Sequence, residues 1–160
     1  NEERRRLLEA AHSRLNMEAV HAEIDKLAAE FGKRLQEIDR QIEQLQQEAT
    51  ACKADMAAAE ATTVDIRKEL LAAVLDNPEK AVKLKVALEM AQLKADALTR
   101  RYEDKIAEVK QLVDIRATEG DACTEQKRAV WDGFRQQLKD RIRQSMADVL
   151  ACSQALRKIE

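Results

Sequence analysis

The chain has 160 residues, 28 basic and 30 acidic, with 36% charged and 2% aromatic side chains, three glycines and one proline. So many charges and so few rings argue against a thick globular core, and so few chain-breakers leave little room for a sheet with its turns. A net charge of −2 gives no overall pull toward nucleic acid, and the longest apolar run, Leu70 to Leu75, is too short to span a membrane.

The start, "NEERRRLLEA", is charged and has no apolar core of a signal peptide. It lacks an initiating Met, and both ends read as helix, so a piece of a longer protein is expected. From Val20 an apolar seam runs through Ile24, Leu27 and Phe31, then steps by four to Leu35. It continues through Ile38, Ile42, Leu45, Ala49, Cys52, Met56, Ala59, Thr63, Ile66 and Leu70 in strict alternation of three and four. Such a run over about five heptads is the signature of a coiled coil, and the step of four is a stutter that unwinds it locally.

Asp76-Asn77-Pro78-Glu79 reads as a helix start. Asn77 can cap, Pro78 suits the first helical position, and Glu79 lies near the positive end of the helix dipole. Proline also disfavours the helical conformation at Asn77, so the preceding helix should end near Leu75. A second seam follows through Leu84, Leu88, Ala91, Ala95, Leu98, Tyr102, Ile106, Val109 and Val113, with its own four-residue step at Tyr102 to Ile106. The seam almost vanishes across "RATEGDACTEQKR", 116–128, where Gly120 appears. A third stretch takes in Trp131, Phe134, Leu138, Ile142, Met146 and Val149.

In an antiparallel hairpin, facing residues have numbers with a constant sum. Leu70 with Leu84, Ile66 with Leu88, Cys52 with Tyr102, Phe31 with Cys123, Val20 with Phe134, Met17 with Leu138 and Leu8 with Met146 all add to 154 or 155. Three layers are poor: Leu27 with Lys127, Leu35 with Gly120, and Ile38 with Arg116. The expected fold is therefore all-α, a long antiparallel coiled-coil hairpin with a bend or loop near 117–123. Residues 1–160 form a single module, with arms at about 2–75 and 79–159 and the turn at 76–78. The alternative is an elongated three-helix bundle, if 117–123 is a full reversal.

Function is legible only as a class. Near the turn, Ala57, Ala61, Val64, Leu71 and Leu75 form an additional apolar stripe on the first arm, and Val82, Val86, Met90 and Leu93 on the second. A two-stranded coil uses two apolar positions in seven, so extra stripes point to a protein partner or a second copy docking there. The partner-binding candidates are Val64, Leu71, Leu75, Val82, Val86, Met90 and Leu93. At the other end, Arg4, Arg5 and Arg6 with Lys139, Arg141 and Arg143 make a weaker basic candidate. Segments 1–17 and 135–160 together hold ten basic and six acidic groups, against five and ten over 18–60. Interleaved acids and missing base-stacking rings rank nucleic acid low, and a membrane surface ranks below a protein partner.

Cys52, Cys123 and Cys152 are too far apart for a zinc-ligand spacing and odd in number for a disulfide framework, which fits a reducing compartment such as the cytosol. His12 and His21 stand apart on a polar helix, and no glycine-rich phosphate loop or nucleophile motif is present. The expectation is a non-enzymatic scaffolding arm of a larger intracellular, cytoskeletal-type assembly, without a cofactor or metal. Two alternatives are a polymerising hairpin on a membrane and a nucleic-acid-binding arm.

Overall fold

A computed structural model describes residues 2–7 and 17–159, and every one of them except Asn77 is helical. A short helix, α1, covers 2–7; α2 is Met17–Asp76 and α3 is Pro78–Ile159. The two long helices pack antiparallel against each other as a helical hairpin. The Leu8–Met146 layer and His12 lie outside the described residues.

The reversal is made by one residue. The Asn77 N–H donates to the Ala73 carbonyl at 2.9 Å and so completes the last turn of α2. The Asn77 carbonyl accepts from the Ala81 N–H at 3.0 Å and opens α3. Its side-chain Oδ1 accepts the Lys80 N–H at 3.2 Å, the capping bond expected of an asparagine before Pro78. Asp76 is unfavourable as the last residue of α2, yet it immediately precedes the positive end of the α3 dipole. Arg157 and Lys158 suit the last turn of α3 in the same way.

The chain divides into two compact units: Gln36–Ala117, which contains the turn, and Asn1–Leu35 with Thr118–Glu160. In the turn unit the buried residues are Ala49, Cys52, Ala59 and Ala73, all small. The larger seam residues Ile42, Leu45, Met56, Ile66, Leu70, Leu84, Leu88 and Leu98 are half-buried. The seam between the two helices in this unit is one side chain thick, so its long aliphatic side chains reach solvent at the edge while the small ones are covered by their neighbours. The pairing register is confirmed by ion pairs between the arms: Glu48 with Lys105 at 2.5 Å and Asp39 with Arg116 at 2.5 Å. Their numbers add to 153 and 155, as the flanks of a seam centred on 154 require.

One detail of the second seam differs from expectation. The step of four from Tyr102 to Ile106 is not isolated, because Lys105 is half-buried beside Ile106. The regular heptad then continues through Val109 to Leu112, which is half-buried, and leaves Val113 exposed. A lysine can hold this seam position because its stem packs while its ammonium reaches Glu48.

In the terminal unit Phe31 and Cys123 are buried. Arg34 lies over the Phe31 ring at 5.0 Å and pairs with Glu119 at 3.5 Å. His21 stands edge-on to Trp131 with ring centroids 5.6 Å apart, and Trp131 meets Phe134 in a similar edge contact at 6.2 Å. These rings thicken the seam beyond what aliphatic side chains would give.

The loop expected near 117–123 is absent. Helix α3 runs through it unbroken, so the three-helix alternative falls as well. No described glycine has a positive φ, and the Thr124 hydroxyl donates to the Gly120 carbonyl at 3.1 Å. The stretch lacks apolar seam residues, but Ala, Glu, Gln, Lys and Arg are all good helix formers. Charges replace the missing apolar layers, with Arg116 reaching Asp39 in one unit and Glu119 reaching Arg34 in the other.

Candidate interaction surface

Every partner-binding candidate near the turn is exposed. Leu75 is 89% and Leu71 71% exposed on α2, while Val82 is 66% exposed on α3, with Val64, Val86, Met90 and Leu93 also open. Val74, at 52% exposure, extends the set and was not among the sequence candidates. Its place between the two stripes, beside the seam residue Ala73, could have suggested it.

Helix geometry explains the exposure. Burial marks Thr63, Ile66, Leu70 and Ala73 as the inward line of α2, and Ala81, Leu84, Leu88 and Ala91 as that of α3. At 100° per residue, Val64, Leu71 and Leu75 lie far round α2 from its seam, and Val82, Val86 and Leu93 far round α3. The stripes therefore lie apart from the seam between the two arms. They form the outer surface of the hairpin instead. Because the helices are antiparallel, equivalent heptad positions fall on the same flank. Leu71, Val74 and Leu75 thus share a flank with Val82 and Val86, with Pro78 at the corner between them. Met90 lies further round α3.

Lys80, Lys83 and Lys85 are exposed beside this surface, together with Glu79 and Glu89. A shallow groove of about 290 Å³ lies where Ala58, Ala59 and Ala91 leave space between the arms, with Asp55 and Lys94 at its rim. It follows from small side chains in the seam.

The basic candidates belong to the terminal unit. Arg4, Arg5 and Arg6 are exposed on α1, as are Lys139 and Arg143 on α3, whereas Arg141 is half-buried. Arg143 faces Asp140 one turn earlier on its own helix at 3.8 Å. Its charge is thereby partly offset, as is that of Arg135 by Asp132 at 3.4 Å.

Among the described residues, no group of three or more His, Cys, Asp or Glu side chains could hold a metal, and no buried side-chain polar atom lacks a partner. Cys52 and Cys123 are buried free thiols and Cys152 is exposed. No described helix is long and apolar enough to cross a membrane. The marked pKa shifts come from ion pairs. Hydrogen bonds from Arg40 and Gln41 hold Glu37 down at about 2, and Lys105 and Gln44 lower Glu48. In return, Glu48 raises Lys105 and Asp39 raises Arg116.

Comparison with known proteins gives no match: no family model, no curated protein and no solved structure is similar to this chain.

Proposed function

We propose that the chain is a non-enzymatic scaffolding arm that presents the outer surface around its turn to a helical protein partner. The observation that supports this reading is the row of large apolar side chains left open at Leu71, Val74, Leu75, Val82 and Val86. Contiguous apolar surface rimmed by charge marks interaction sites in soluble proteins, because its burial against a partner is favourable at about 25 cal/mol per Å². The lysines beside it would add selectivity for a partner helix with acidic flanks. The role is that of a stiff helical spacer in a larger intracellular, cytoskeletal-type assembly.

A photo-reactive amino acid at position 82, in cells that express the protein, tests this. A discrete cross-linked product is expected, and it should be lost when Val86→Lys is added. The same probe at Asp65, on the polar side of α2, should give no such product. Equal products from both positions, or a product indifferent to Val86→Lys, would refute the reading.

A further inference from the structure

The flank that holds Leu71, Val74 and Val82 continues away from the turn as a shallow groove of about 340 Å³ between the arms. Met56, Glu60 and Arg67 line it from α2, and Ala95, Asp96 and Thr99 from α3. Glu60 and Gln92 enter the groove from opposite arms, and their numbers add to 152. Arg67 and Lys85 have the same sum seven residues nearer the turn, so two cations face each other across this flank. Arg67, Lys85, Glu60 and Asp96 are all exposed, and none has an ion-pair partner among the described residues. Glu60 lies about 10 Å along the axis from Arg67, and Asp96 about 16 Å from Lys85, too far to pair within the chain. One face thus carries two open cations near the turn and two open carboxylates further from it.

We infer that this flank binds the same flank of a second copy of the chain, with the two hairpins antiparallel about a two-fold axis. The inference rests on the reading of the turn surface as a docking site and names its partner.

Charge complementarity sets the register. A two-fold axis brings α2 against α2 and α3 against α3, each at its own constant sum. Arg67 meets Glu60 of the second copy if the α2 sum is 127, and Lys85 meets Asp96 if the α3 sum is 181. The midpoints of these sums, 63.5 and 90.5, add to 154, which is the sum of the seam itself, so one axis serves both pairings. Four ion pairs then cross the interface, because each contact is made twice. At the same sums Leu71 falls on Met56, Val82 on Thr99, Val64 on Thr63 and Glu89 on Gln92. The apolar residues near the turn of one copy therefore enter the groove of the other, and no like charges meet. Parallel hairpins would instead stack Arg67 on Lys85, which repel. The face is about 30 Å long and two helices, about 20 Å, wide. It buries about 600 Å² per copy, at the lower end of specific interfaces.

The test measures the mass of the full chain by light scattering at micromolar concentration, where a dimer is expected. Arg67→Glu with Lys85→Asp leaves four carboxylates on the face, and Glu60→Arg with Asp96→Lys leaves four cations. Each double variant alone should be monomeric, with unchanged helix content by circular dichroism, since all four positions are exposed. Mixed together, the two should form a heterodimer, because every contact is again opposite in sign. Val64→Cys in a Cys152→Ser background should be joined to its counterpart by a short bis-maleimide, since the axis passes between positions 63 and 64. A wild-type monomer, a dimer that survives either double variant, a mixture that stays monomeric, or no cross-link at position 64 would overturn the inference. The docking reading fails separately. It falls if a photo-reactive group at position 82 gives no discrete product, whereas a monomeric chain joined there to a different protein loses only the second copy.

Discussion

Gly120→Ala should stabilise the protein, although Gly120 sits in the stretch with the weakest seam. A methyl group built at Gly120 meets nothing within 4 Å, and no described glycine takes a positive φ. Nothing in the folded state opposes the substitution, while the unfolded chain loses conformational freedom. Glycine in a helix interior costs about 0.5–1 kcal/mol relative to alanine, so Gly120→Ala should gain about that amount. Urea denaturation followed by far-ultraviolet circular dichroism measures it as a higher midpoint with an unchanged slope. The companion Gly120→Pro should lose about 3 kcal/mol or more, because it removes a helical hydrogen bond and clashes with the preceding turn. A loop at this point would invert both expectations, since a loop glycine with positive φ tolerates no methyl group and a loop can accept proline. Destabilisation by Gly120→Ala would therefore refute the continuous helix.

Two further substitutions probe the turn and the ion pairs. Asn77→Ala removes the acceptor for the Lys80 N–H and should lower stability by about 1 kcal/mol, measured by the same denaturation, with a smaller loss for Asn77→Asp. Glu48 has a lowered carboxyl pKa in the folded state because Lys105 and Gln44 donate hydrogen bonds to it. The unfolded chain therefore binds more protons at acid pH, and the contribution of this pair is present above the ordinary carboxylate range and lost as pH falls through the lowered value. Denaturation midpoints at neutral and strongly acid pH should differ less for Glu48→Gln than for the wild type. An equal fall in both would remove Glu48 from the account.

Much of the architecture was legible because a coiled coil writes its packing directly into sequence. The seam from Val20 to Leu70 is buried or half-buried at every residue named for it. The turn at Asn77 was readable because proline and a capping side chain act over a few residues and need no distant partner. The expected loop at 117–123 failed for a local reason as well. Gly120 and a gap in the apolar pattern are weak signals, and the helix persists because its other residues favour it and cross-arm charges hold its flanks. The surface candidates were legible as residue types, but their direction was not. A second stripe on a helix either widens the seam or faces away from it, and the inward lines Thr63–Ala73 and Ala81–Ala91 decide for the latter.

The sequence alone therefore determined the all-α composition, the heptad seams, the point of reversal and the pairing sum, since each follows from spacing along one helix. Tertiary structure decided what depends on two helices at once. It buried Phe31 and the small seam residues while leaving the longer aliphatic ones half-open, let Lys105 hold a seam position through Glu48, and carried α3 through its weakest stretch. It also left Leu71, Leu75, Val82 and Val86 on the outer surface and Ile142 and Val149 exposed. The physical reason is that periodicity shows which residues share a face, while burial depends on whether another helix lies against that face.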